Sequence, residues 1–319
     1  MTELPKYDEL PAAPGGGRSA WGLFGPDDSV GLFNVVTPEV TRAAAQLVQT
    51  GELFPLDVPL DFFDPPLFER SPLEIAVKVA SEGRALDEVY NGFNPQAASQ
   101  WDALSHVAYD TDAYYNGASL DQVLNEGRNS IASWAAHGIA TRGVLLDLQR
   151  TAASQGRTYD PGSSHAFSVE DLERARTAAG VEFRPGDVIV LRTGFIGWYD
   201  GLGPEERARV ADRTVLEACG VEHTEDMARY LWDSGAVAVA SDCPSVEVWP
   251  MDRSDEAFPF GMLHRLLLAQ FGMAIGELWA LDALADWCVR HGRHEFFLTS
   301  APLNSPGGIG SPANALAIV

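Results

Sequence analysis

At 319 residues the chain is long enough to bury a sizeable core as one large domain or two intimate ones, and its 46% hydrophobic content is ordinary for a globular protein. Its 22 basic against 45 acidic residues give a net charge of −23, which repels nucleic acid and anionic membrane and sets both aside as partners. No uninterrupted apolar run of about 18 residues occurs, so no transmembrane helix is expected.

Residues 1–30 are rich in Pro, Gly and Asp, including Gly15-Gly16-Gly17, and read as an irregular N-terminal arm. The start has neither a basic patch nor an apolar stretch, so it is not read as a signal peptide. Thr37-Pro38-Glu39 opens a helix with Thr37 as its cap, and Gly51 ends the Ala-rich stretch that follows. Leu53 to Leu60 and Leu73 to Ala80 look like strands, the second alternating Ile75, Val77 and Val79 with Glu74, Ala76 and Lys78. Leu120 to Asn125 and Ser130 to Ala136 read as short helices. Gly143 to Leu148, Asp187 to Thr193 and Gly235 to Ala240 are apolar runs of strand length, the pattern of strands buried on both faces. Ser168 opens a helix that stops at Gly180, and Thr224 caps another that runs to Ser234. Pro259 to Phe271 is predicted helical, Met273 to Leu281 extended, Asp282 to His291 helical and Phe296 to Thr299 a strand. The Gly/Pro-rich tail from Pro306 to Pro312 is expected to be a loop before a short apolar end. Helices alternating with buried strands predict an α/β fold.

Cys219, Cys243 and Cys288 are too few and too scattered for a disulfide framework or a Cys-rich zinc site, which fits a reduced, cytoplasmic setting. A buried thiol is the expectation for each, with a nucleophilic Cys243 in its Ser-Asp-Cys-Pro loop as the alternative. No Gly-x-Gly-x-x-Gly follows a strand and there is no Walker sequence, so no nucleotide site is predicted.

The stretch that carries chemistry is Gln96-Ala97-Ala98-Ser99-Gln100-Trp101-Asp102-Ala103-Leu104-Ser105-His106, after the turn Asn94-Pro95. An acid and an imidazole four residues apart do not define a site by themselves, because a lone His is more often structural. The segment resembles the His-x-Gly-Thr-His-x-Asp-x-Pro-x-His signature of the cyclase family, metal-dependent hydrolases that include bacterial kynurenine formamidase and isatin hydrolase. Aligned on the last His, the signature falls on Gln96, Ala98, Ser99, Gln100, Asp102, Leu104 and His106: the Asp and final His survive, and both earlier His have become Gln. A subset with a Trp-Asp-Gly-Leu-x-His core and a following Tyr-Asn-Gly is more similar, matched by Trp101 to His106 and by Tyr115-Asn116-Gly117. The resemblance extends over nearly the whole chain. It implies a swivelling β/α/β fold with a small barrel-like mixed sheet and surrounding helices, as a single catalytic domain over residues 31–319.

That resemblance also implies the site. Asp102, with His264 and Glu277 from a later segment, makes three ligands for one Zn²⁺ or Mn²⁺, with Gln100 assisting; three protein ligands with room for water is the usual catalytic arrangement. His106 matches the proton-transfer His, and Asp102 shares the catalytic role. Trp101, Tyr115 and Gln96 are candidates to contact substrate, and Asp242, after an apolar strand, is a candidate to support the ligands from behind. Plain core packing is the competing reading for Trp101 and Tyr115. The implied function is hydrolysis of a small cyclic or acyl amide or a lactone by a homo-oligomer, dimer or tetramer. The alternatives are metal-free acid/base chemistry at His106 in a cyclase, dehydratase or isomerase, and a non-catalytic binder whose metal site has decayed, as the two Gln substitutions suggest. The absence of Gly-x-Ser-x-Gly argues against a common serine hydrolase.

Overall fold

The computed structural model describes residues 4–319. Its strands in chain order are β1 (Leu53–Pro55), β2 (Glu74–Ala80), β3 (Ala85–Asn91), β4 (Gln100–Asp102), β5 (Ile139–Asp147), β6 (Ala166–Phe167), β7 (Val188–Arg192), β8 (Gly220–Val221), β9 (Ala238–Ser241), β10 (Ala274–Glu277), β11 (Glu295–Ser300), β12 (Gly310–Pro312) and β13 (Ala315–Ile318). Nine of them form one sheet, ordered β1-β13-β11-β5-β7-β9-β10-β4-β12, which curls into a half-barrel with helices around it. The four central strands β5, β7, β9 and β10 are parallel; the pairings outside them are antiparallel. Val188, Ile189, Val190 and Leu191 are all buried, as a parallel strand covered on both faces requires. The mixed α/β architecture is the one expected.

Helix boundaries follow the sequence where a cap sets them. Thr37, Ser168 and Thr224 each accept a hydrogen bond from the backbone N–H three residues on, at the head of Pro38–Ala45, Val169–Ala179 and Glu225–Asp233. Gly180 closes the second of these with φ of 65°, where a side chain would be strained.

Departures from expectation have local causes. The strand expected over Leu53 to Leu60 stops at Pro55, since Pro55 and Pro59 cannot donate to a ladder. The helix expected from Pro259 narrows to Arg265–Phe271, a π-helical turn in which the N–H of Gly272 reaches back to the carbonyls of Leu267 and Leu268. Two carbonyls of this turn are satisfied from the N-terminal arm: Ala20 N–H donates to Gln270 O (3.0 Å) and Trp21 Nε1 to Ala269 O (2.6 Å). The tail is not a simple loop, because β12 and β13 both join the sheet. β2 pairs with β3 alone in an exposed two-stranded ribbon, so Ile75, Val77 and Val79 are uncovered. Alternation reports a strand with one apolar face; it does not report whether anything lies on that face.

Candidate metal centre and the cavity above it

β4 and β10 build the centre. They pair antiparallel, with Asp102 opposite Ile275, Trp101 opposite Gly276 and Gln100 opposite Glu277. Side chains alternate along a strand, so Gln100, Asp102 and Glu277 share one face and Trp101 projects from the other. His264 reaches that first face from the residue just before the π-helical turn. One ligand atom each from Asp102, His264 and Glu277 lie within 4.8 Å of one another, and all three residues are buried. His264 Nε2 is 3.2 Å from Glu277 Oε1 and 3.6 Å from Asp102 Oδ2.

The neighbours hold this cluster in place. Glu247, fully buried, lies 2.8 and 2.9 Å from His264 Nδ1 with its two oxygens. Its position depends on Gly220: Val221 N–H donates to Val246 O and Val248 N–H to Val221 O, both at 2.9 Å, and a Cβ at Gly220 would fall 2.4 Å from the Glu247 carbonyl carbon. Gln100 Nε2 donates to Glu277 Oε2 (2.7 Å) and Val246 N–H to Glu277 Oε1 (3.2 Å). The Gln96 amide nitrogen donates to Asp102 Oδ1 and lies 3.1 Å from His106 Nδ1, and the Arg70 guanidinium donates to the Gln96 carbonyl. Two buried oxygens, Asp102 Oδ2 and Gln100 Oε1, have no hydrogen-bond partner among the described residues.

The charges answer to these contacts. Burial alone would raise the Asp102 carboxyl, but His106, His264 and Gln96 outweigh it and hold it at about 2. Burial, with Asp102 beside it, pushes Glu277 up to about 7. Burial works against a proton on His264, yet Glu247, Asp102 and Glu277 lift it well above the ordinary imidazole value. Burial pulls His106 down.

A cavity of about 390 Å³ opens above the cluster, with His264, Glu277, Gln96 and His106 among the residues that line it. Trp101 and Tyr115 do not line it, which corrects their expected place at the substrate. Trp101 is on the opposite side of β4, fully buried, packed on Phe33, Trp134 and Trp279 with Nε1 donating to Ser300 Oγ (2.9 Å). Tyr115 is buried and donates to Asp28 Oδ2 (2.9 Å), tying the N-terminal arm down. Asp242 also lies elsewhere than expected: it accepts from Thr193 N–H, Thr193 Oγ1 and Gly194 N–H, each at 2.7 Å, and so fixes the turn after β7 rather than a ligand. The residue behind the imidazole is Glu247. Its signal in the sequence was an acid set between valines in Ser245-Val246-Glu247-Val248-Trp249, since a carboxylate buried in such a run needs a cationic partner. Arg70, Arg213, Arg253 and Trp249 also line the cavity and were not anticipated.

Two carboxylates on one face of the sheet, with an imidazole brought to them beneath a cavity, form a candidate catalytic site. The sequence pattern of the family described as "Putative cyclase" matches residues 41–248, and the chain belongs to the cyclase family. The crystal structure of a novel cyclase is 32% identical, covers 94% of this chain and 99% of its own, and superposes with a TM-score of 0.82. An isatin hydrolase bound to the product analogue thioisatinate shares the fold at 19% identity, with 86% and 94% of the two chains covered and a TM-score of 0.61. Isatin hydrolase A from Labrenzia aggregata, bound to benzyl benzoate, does so at 17% identity over 88% and 97%, also at 0.61. No curated protein matches the chain. Among the described residues no helix is long and apolar enough to cross a membrane.

Proposed function

We propose that the protein is a metal-dependent hydrolase of a small amide or lactone, with Asp102, His264 and Glu277 as the metal ligands and His106 as the proton carrier. The observation that carries this is the convergence of the three ligand atoms within 4.8 Å beneath a cavity that His106 lines. Carboxylate and imidazole suit Zn²⁺ or Mn²⁺, and the unpartnered Asp102 Oδ2 is the buried polar atom such an ion would satisfy. A divalent ion bound there would supply Lewis acidity toward the scissile carbonyl and a more acidic water.

The chain's own groups do the rest. Glu247 fixes the His264 ring through Nδ1 and leaves Nε2 toward the two acids. The Gln96 amide nitrogen lies 3.1 Å from His106 Nδ1, and His106 Nε2 lies 3.8 Å from Asp102 Oδ1, too far to be held by it. His106, which lines the cavity, would take a proton from the attacking water and return it to the leaving nitrogen or oxygen. Gln96 is thus a positioning residue for His106. Gln100, with its amide nitrogen on Glu277, orients that carboxylate, and its free oxygen is the atom by which it would assist a metal.

One arrangement favours a second reading. His264 is flanked by acids at both ring nitrogens, which also suits a permanently protonated imidazolium in metal-free acid/base chemistry at His106. Metal content by mass spectrometry separates the two. About one ion per chain in the purified protein, lost in Asp102→Ala and His264→Ala, is the expected result; no ion, and no activity rescued by Zn²⁺ or Mn²⁺, overturns the metallohydrolase.

A further inference from the structure

The wall of the cavity has a chemistry opposite to its floor. Arg70, Arg213 and Arg253 all line it, and none has a carboxylate within 4.0 Å among the described residues. This is unexpected in a chain with 45 acidic and 22 basic residues, where a guanidinium should find a carboxylate easily. Two rings join the three cations into one surface. Trp249 has Arg213 at 5.5 Å and Arg253 at 5.9 Å from its ring centroid, Phe68 meets Trp249 edge-on at 5.0 Å, and Arg70 lies 5.0 Å from the Phe68 centroid. Trp249 is only 7% exposed and its Nε1 has no hydrogen-bond partner among the described residues; the same holds for the hydroxyl of Ser245, 2% exposed, on the same wall. The guanidinium groups, Trp249 Nε1 and the Ser245 hydroxyl can all donate a hydrogen bond.

We infer that the substrate of the centre carries a carboxylate on an apolar frame: the frame lies against Trp249 and Phe68, and the carboxylate is taken by the arginine wall while the scissile carbonyl faces the acids. A planar guanidinium is suited to this task because it presents paired N–H groups to both carboxylate oxygens. This inference rests on the hydrolase reading, and its test is one of binding, so the two can fail separately.

The probes are benzoate and its neutral counterpart benzamide, titrated calorimetrically into the metal-loaded protein. Benzoate is expected to bind at least about tenfold more tightly. Arg213→Gln/Arg253→Gln, at two exposed positions that leave the core intact, is expected to abolish that preference with metal content unchanged. Arg213→Lys/Arg253→Lys should keep part of it. Equal affinities in the parent, a preference that survives the Gln pair because the carboxylate goes to the metal instead, or a Lys pair that behaves like the Gln pair, would each overturn the inference. Failure to hydrolyse any amide or lactone would defeat the hydrolase reading and leave a benzoate preference standing.

Discussion

The floor and the wall of one cavity solve the problem of charge in opposite ways. On the floor, Asp102, Glu247, His264 and Glu277 are all at most 3% exposed, and each touches another ionisable member of the group or an amide that serves it. On the wall, Arg213 and Arg253 stand in solvent with no carboxylate within 4.0 Å among the described residues. Buried charge is tolerated only when paired, so the floor is rigid and intolerant of change; exposed charge is solvated, so the wall is free to engage a ligand and cheap to alter. The contrast makes the proposed roles, catalysis on the floor and selectivity on the wall, separable by graded substitutions.

The largest effect belongs to Asp102. Asp102→Ala removes the only acid among the described residues that lies within 4 Å of both His106 and His264, leaving His264 and Glu277 as an incomplete set. Activity should fall by about three orders of magnitude or more, a barrier increase of roughly 4 kcal/mol, with metal lost in parallel. Retained metal with retained turnover would place the centre elsewhere. His106→Ala should lower kcat by about 10²- to 10⁴-fold while metal content stays near that of the parent, because the ring lines the cavity without belonging to the ligand group. If metal is lost as well, His106 belongs to the floor and the comparison must be redrawn.

Glu247→Gln sharpens the boundary between ligand and support. The carboxylate sits at 2.8 Å from His264 Nδ1, and replacing it with an amide keeps the shape but removes the charge that holds the ring. A fall in metal affinity of about 10- to 100-fold is expected, measured by competition with a chelator. No change in affinity would make Glu247 a packing residue only.

How far the sequence reached follows the same division. Asp102, His264 and Glu277 were legible because a resemblance linked segments far apart in the chain, and the structure brings those residues together. The apolar runs at β5, β7 and β9 were legible because a strand buried on both faces has few other ways to read. Trp101 and Trp249 show where this stops. Trp101 neighbours the acid in sequence, yet β4 is extended, and successive side chains point to opposite faces; proximity along a strand places a neighbour on the wrong side. Trp249 has no nearby motif and comes to the cavity through the pairing of Val246 and Val248 with Val221, a contact no local pattern records. Arg70, Arg213 and Arg253 are scattered in the same way, and only the fold makes them a surface.

Tyr115→Phe is the smallest effect and the most direct check on that lesson. The hydroxyl donates to Asp28 Oδ2 at 2.9 Å, and Asp28 also accepts from Gly31 N–H at 2.9 Å and Asn34 Nδ2 at 2.7 Å, so it keeps partners when the phenol is lost. The ring is unchanged by the substitution and stays buried against Gly272, where a Cβ would lie 2.6 Å from it. Only one hydrogen bond to a charged acceptor goes, which should cost about 1.5–3 kcal/mol at most, and less here because Asp28 remains satisfied. Thermal unfolding should therefore shift by a few degrees or less, while kcat and KM stay at their parent values. A raised KM would return Tyr115 to the substrate side of the molecule; an unchanged KM with a lower melting point ties its hydroxyl to holding the N-terminal arm against the fold.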